Sequence, residues 1–254
     1  MKSKITPLFL AFLGTLFLTS CDRTTGDKKV TLALDIESVF DGAAVSLDHS
    51  THTTGFGESV KFTRHDYLLS NFVLTGGSPN EEFALRNVFG FVRGSNGVTR
   101  IFLDSIPVGN YTGLRFTVGL DSAANHSDPT SYGPTHPLNP AVNSLHWGWA
   151  GGYIFTALEG RYIHHNSTDE GVFLYHMALD ENAFTVEVPV VLDLSRRDKV
   201  VQLKYNLAEI FKNPTLFSIE ERGDFSHSTA DNGIVQLLIG NMSDVFTAQK
   251  VENL

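Results

Sequence analysis

Both tryptophans of this chain, Trp147 and Trp149, sit beside a histidine in the string Leu145-His146-Trp147-Gly148-Trp149. A neutral imidazole is a common metal ligand, and an electron-rich indole next to a redox-active metal is open to oxidation. If the string is extended, alternation places the two indoles on one face and His146 on the other, while Gly148 lets a backbone or ligand come close. A hydrophobic plug that stabilises a long loop is the competing reading. Two more of the ten histidines have informative surroundings. His176, in the extended segment from Gly171 to Leu179, shares a face with Val172, Leu174 and Ala178. An imidazole there needs a partner for each nitrogen, and its commoner role is a core residue bonded to a carbonyl and a hydroxyl. His227 precedes an expected helix, whose N-terminus disfavours imidazolium and keeps the ring able to ligate a metal; a surface histidine in a cap region is the plainer alternative.

No His-Glu-x-x-His, Cys-x-x-Cys or EF-hand pattern is present, so zinc-protease, zinc-ribbon and calcium-loop chemistry lack their motifs. Three neutral histidines without a thiolate suit copper or zinc. Glu159 is placed to act as a general base, although a carboxylate before a glycine turn is more often a simple strand end. Neither a Gly-x-Ser-x-Gly elbow nor a phosphate-cradling glycine loop appears.

The elements that must position these residues are mostly strands. Period-2 alternation marks Val30–Ile36, Glu58–Thr63, Tyr67–Leu74, Val98–Leu103, Gly113–Leu120, Tyr153–Glu159, Gly171–Leu179, Ala183–Leu194, Lys199–Leu207 and a final strand at Val245–Val251. Turn clusters separate them at Gly76–Asn80 and Ile106–Tyr111. Residues 121–143 are rich in Asn, Pro, Ser and His with little apolar periodicity; a loop of that length inside a compact domain is commonly functional. One short helix is expected late, over Ile234, Leu237, Leu238 and Asn241, with Ser228-Thr229-Ala230-Asp231 as its capping box. The pattern indicates an all-β fold: an antiparallel β-sandwich, or barrel-like sandwich, of about nine strands with one short C-terminal helix.

Lys2 and Lys4 followed by the apolar run Leu8–Leu18 form a leader too short to span a bilayer as a mature helix. Leu18-Thr19-Ser20-Cys21 reads as a bacterial lipobox, with Cys21, the sole cysteine, carrying lipid and anchoring the chain to a membrane surface. The expected organisation is a signal peptide at 1–20, a lipidated cysteine and tether at 21–29, and one domain over 30–254, facing the bacterial periplasm or cell envelope. With Cys21 so used no disulfide is available, and stability must come from a core. Removing Lys2 and Lys4 leaves 17 of the 19 basic residues against 28 acidic ones, a balance of −11. That argues against nucleic acid as a partner and is compatible with a bound cation or a cationic protein.

Several strings together resemble a known family. His136-Pro137-Leu138-Asn139-Pro140, Asn143, Leu145-His146-Trp147-Gly148-Trp149 and Gly151-Gly152-Tyr153-Ile154-Phe155 with Glu159-Gly160 resemble the MbnP-like family. So do Tyr67-Leu-Leu-Ser-Asn71, the turn at 107–111, Tyr175-His-Met-Ala178 and His227-Ser228 with Asp231. The resemblance extends from about Val30 to Val251. It implies a β-sandwich that binds one copper through histidines and a kynurenine made from tryptophan by a partner, a dihaem protein related to cytochrome c peroxidases. Under it, Trp147 or Trp149 is the modified residue, and His146, His176 and His227 are candidate ligands, with His136 in reserve. Asn143, Tyr153, Glu159 and Asp231 are supporting residues. The chain is then a substrate of the partner enzyme, not an enzyme itself, and serves copper storage or trafficking. The rival reading is a recognition lipoprotein in which Trp147, Trp149 and Tyr153 form an aromatic platform for glycan or protein. A hydrolytic metalloenzyme with Glu159 as base stands behind both.

Overall fold

The structure, a computed structural model, describes residues 28–77, 81–148, 151–228 and 233–254. The leader, the lipobox with Cys21, Trp149 and Asp231 lie outside the described residues.

Among the described residues nine strands run eight residues or longer: β1 (Lys29–Phe40), β2 (Ser59–Gly77), β3 (Val98–Pro107), β4 (Asn110–Val118), β5 (Gly152–Ile163), β6 (Glu170–Ala178), β7 (Phe184–Asp193), β8 (Lys199–Asn206) and β9 (Phe246–Asn253). The alternation in sequence becomes alternation in burial. In β7, Val186, Val188, Val190 and Leu192 point inward while their neighbours face solvent. One sheet runs β9–β8–β1–β3; the other runs β7–β4–β2–β5–β6, with the short strand Phe225–Ser226 at its far edge. Side chains from both sheets meet in one continuous core, rich in aromatics such as Phe62, Tyr67, Phe72, Phe116, Phe173 and Tyr205. This is an all-β sandwich. Pairing is mostly antiparallel, but β1 and β8 run parallel from Leu32↔Lys199 to Val39↔Asn206. β1 is accordingly buried along most of its length, as a central strand with neighbours on both sides is.

The two expected strands Glu58–Thr63 and Tyr67–Leu74 are one nineteen-residue strand. The polar triplet Arg64-His65-Asp66 that interrupts the apolar pattern does not break the backbone. His65 is fully buried, and Arg64 and Asp66 pair with each other and are half-buried. The register between β2 and β5 shifts beside Glu159 and Gly160, opposite Arg64 and Phe62. An irregularity of this kind re-aims the side chains around it.

Residues 119–148 are not an open loop. Three short turns of helix, Ser122–Asn125, Pro129–Ser131 and Pro140–Asn143, are each capped by the side chain before them: Asp121, Asp128 and Asn139. Leu120, Ala124, Leu138 and Leu145 pack with Leu68, Tyr153, Phe155 and Ala157 into a second, smaller apolar cluster. The late helix is Ile234–Gly240, and its N-cap is Gly233. Ser228 is not that cap, because its hydroxyl is engaged at the end of β6. No helix of the described residues is long and apolar enough to cross a membrane.

Candidate metal centre

Four of the residues singled out above come together beside β5 and β6. His176 on β6 faces away from the main core, since Phe173, Tyr175 and Met177 take the inward positions. Its Nε2 lies 2.9 Å from Glu159 Oε1 on β5, one diagonal step across the strand pair. Its Nδ1 is buried and has no hydrogen-bond partner among the described residues. The ring of His227 stacks on it, nearly parallel, with centroids 4.9 Å apart. The Trp147 indole lies 5.7 Å from the His227 ring, tilted to it.

The local backbone explains this meeting. Phe225–Ser226 pairs in parallel with Leu174–Tyr175. The Ser228 hydroxyl then accepts the Ala178 N–H at 2.7 Å and donates to the His176 carbonyl at 2.7 Å. His227, between these two anchored serines, is carried alongside His176. Trp147 arrives from the other direction, because His146–Trp147 pairs with Gly152–Tyr153 at the start of β5. Alternation sends the two side chains apart: Trp147 toward His227, and His146 against the Tyr153 ring at 4.7 Å.

Electrostatics tie the group to β2. Arg64 donates to Glu159 at 3.1 Å and to Asp66 at 2.9 Å, and its third contact is the Ser144 carbonyl at 3.3 Å. Desolvation pushes the Glu159 carboxyl up, but the hydrogen bonds from His176 and Arg64, with the Arg64 charge, outweigh it and hold the group below its ordinary value. Burial lowers His176, a shift that Glu159 only partly offsets, which favours the neutral ring. Neutral imidazoles of this kind are competent ligands. A buried ring nitrogen without a partner costs free energy, and a metal ion at Nδ1 would satisfy it. The orphaned Nδ1 of His176 is therefore chemically suited to a metal, with His227 as the neighbouring imidazole. Among the described residues no set of three His, Cys, Asp or Glu side chains is grouped as a metal site.

The MbnP family model matches residues 29–228. The chain belongs to the MbnP family. Among solved structures, MbnP from Methylosinus trichosporium is similar at 17% identity, with 89% of this chain and 99% of that chain covered and a TM-score of 0.49. No curated protein matches.

The remaining candidates of this MbnP-family chain lie elsewhere. His136 stacks on Tyr132 at 4.4 Å and meets Phe89 edge-on, and its Nδ1 accepts the Leu138 N–H at 3.1 Å. It organises the 119–148 segment. Asn143 is buried, donating to the Pro137 carbonyl and accepting from the Leu145 N–H, both at 2.7 Å. Tyr153 is fully buried and its hydroxyl donates to the Leu138 carbonyl at 2.5 Å, so it brings no ring to a surface platform. Arg64 and Asp66 were not legible as site residues. Their only signal was a charged pair inside an otherwise apolar strand.

Proposed function

We propose that this chain is a lipid-anchored protein of the bacterial envelope that binds one copper ion for storage or trafficking. His176 and His227 hold the metal, and the third donor is a kynurenine derived from Trp147. A dihaem partner of the cytochrome c peroxidase type installs that group, and the chain is its substrate. The observation that carries this reading is the buried Nδ1 of His176, without a partner among the described residues, in a ring stacked with that of His227 and with Trp147 beside His227. Copper would supply Lewis acidity and affinity for soft and imidazole donors. The protein supplies the β5–β6 pair that carries Glu159 and His176, with His227 and Trp147 beside them. Glu159 is held by Arg64 and His176, which suits an orienting group and not a free general base.

The test is a peptide mass map of the protein from its native host over residues 143–161, combined with copper titration. Conversion of tryptophan to kynurenine adds about 4 Da. A shift on Trp147, with one copper bound and lost in His176→Ala and His227→Ala, is the expected result. Unmodified tryptophans together with undiminished copper binding in both histidine variants would end the proposal.

A further inference from the structure

We infer that Glu159 is a positioning residue that fixes the tautomer of His176, taking the Nε2–H so that Nδ1 is the atom presented to the metal. The inference rests on the proposed copper reading and names the ligand atom within it.

A neutral imidazole has one N–H and one lone pair, and the partner of one nitrogen decides the role of the other. Here the partner of Nε2 is a carboxylate oxygen at 2.9 Å. That same oxygen receives Arg64 Nη1 at 3.1 Å. A carboxylate oxygen bonded to a guanidinium only accepts, so the proton must sit on Nε2. The lone pair is then on Nδ1, the nitrogen that is buried without a partner among the described residues. Were the proton on Nδ1 instead, two faults would appear together: a lone pair facing a carboxylate oxygen, and a buried N–H with nothing to receive it. Both are costly in a desolvated site.

The carboxylate is itself held in place. Arg64 is fixed by Asp66 at 2.9 Å on the same strand, which leaves Glu159 little freedom to turn away. Three adjacent strands thus contribute to one chain of contacts, Asp66–Arg64–Glu159–His176. Arg64 also reaches the Ser144 carbonyl, three residues before Trp147, so the chain that orients His176 touches the segment that carries the indole. Gly160 follows Glu159 for a steric reason. A Cβ there would meet the Lys61 carbonyl and the Phe173 ring at 2.5 Å, so the close approach of β2 that brings Arg64 to Glu159 requires glycine. Carboxylate partners of this kind, behind ligating histidines, typically account for 10–100-fold in metal affinity.

The experiment uses the metal-free full chain labelled with 15N-histidine. Two-bond proton–nitrogen correlation spectra report the tautomer of each imidazole, and copper(I) affinity is then measured on the same samples by competition with a chromophoric chelator. His176 is expected as the Nε2–H tautomer in the unaltered protein. Glu159→Ala should lose that preference and weaken copper about 10–100-fold, while Glu159→Gln, whose carbonyl oxygen still accepts, should restore the tautomer and most of the affinity. An Nδ1–H tautomer in the unaltered protein would overturn the inference. So would an unchanged tautomer and affinity in Glu159→Ala. The spectrum of the unaltered chain decides even if that variant fails to fold. Failure of the unaltered chain to bind copper would instead remove the copper reading, and the metal-free spectra would still report which nitrogen Glu159 holds.

Discussion

His65 lies between the sheets, fully buried, with Nδ1 2.9 Å from the Ser38 hydroxyl and its ring packed on Tyr67 and Tyr205. Burial pulls its pKa from 6.5 down to about 3. The folded state therefore resists protonation where the unfolded chain accepts it. Its contribution to stability is complete above pH 6.5 and is lost as pH falls from 6.5 toward 3, at about 1.4 kcal/mol per pH unit. In urea unfolding at pH 7, 5 and 4, His65→Phe should close on the unaltered protein by that slope. Parallel pH profiles for the two proteins would show the account to be wrong. Tyrosine hydroxyls give a second contrast. Those of Tyr67 and Tyr205 are buried without a partner among the described residues, whereas that of Tyr153 donates to the Leu138 carbonyl. Tyr205→Phe and Tyr67→Phe should be neutral or stabilising, and Tyr153→Phe should cost roughly 1–3 kcal/mol. Chemical denaturation of the three variants would reveal any reversal of that order.

At the scale of elements, the site depends on how the 119–148 segment is pinned to the sheet. Gly152 begins β5 with φ of +80° and lies tight against Asn125. Asn125 accepts the Tyr153 N–H at 2.7 Å and donates to Asp180 at 2.7 Å, joining the segment to β5 and to the turn after β6. Gly152→Ala would add backbone strain and a clash with both the side chain and the carbonyl of Asn125. A loss of about 2 kcal/mol or more is expected. Amide exchange should quicken over 120–148 before it does in β1 and β8. Equal protection in both regions would mean that the segment is held by something other than this contact.

For the whole molecule, a metal that binds only the folded state stabilises it by mass action. At a free concentration one hundredfold above Kd the gain is about 2.7 kcal/mol. Copper should therefore raise Tm, a chelator should reverse the rise, and His176→Ala should show neither. A metal-induced rise of full size in that variant would place the ion elsewhere. Because β2 belongs to the main sheet and supplies Arg64 and Asp66 to the site, the gain should appear as a shift of the single global transition.

Features that depend on local pattern are legible in the chain before it folds. Alternation in segments such as Phe184–Asp193 fixes a strand and its buried face. By contrast, His176, whose commoner role was expected to be in the core with Val172, Leu174 and Ala178, leaves β6 on the side away from the main core because Phe173, Tyr175 and Met177 fill the inward positions. The family strings, too, are local and were readable as they stand. Tertiary structure decided everything that depends on which strands meet. It joined two expected strands into one, because His65 could be buried and Arg64 paired with Asp66 and Glu159. It used the Ser228 hydroxyl to anchor His227 to β6 where a helix cap was expected. His146 and His176 look equivalent in composition, yet pairing of His146–Trp147 with Gly152–Tyr153 turns His146 toward Tyr153 and leaves Trp147 beside His227. Side-chain direction follows from local periodicity, whereas the partner across the sheet is set by register, and register is a property of two segments far apart in the chain.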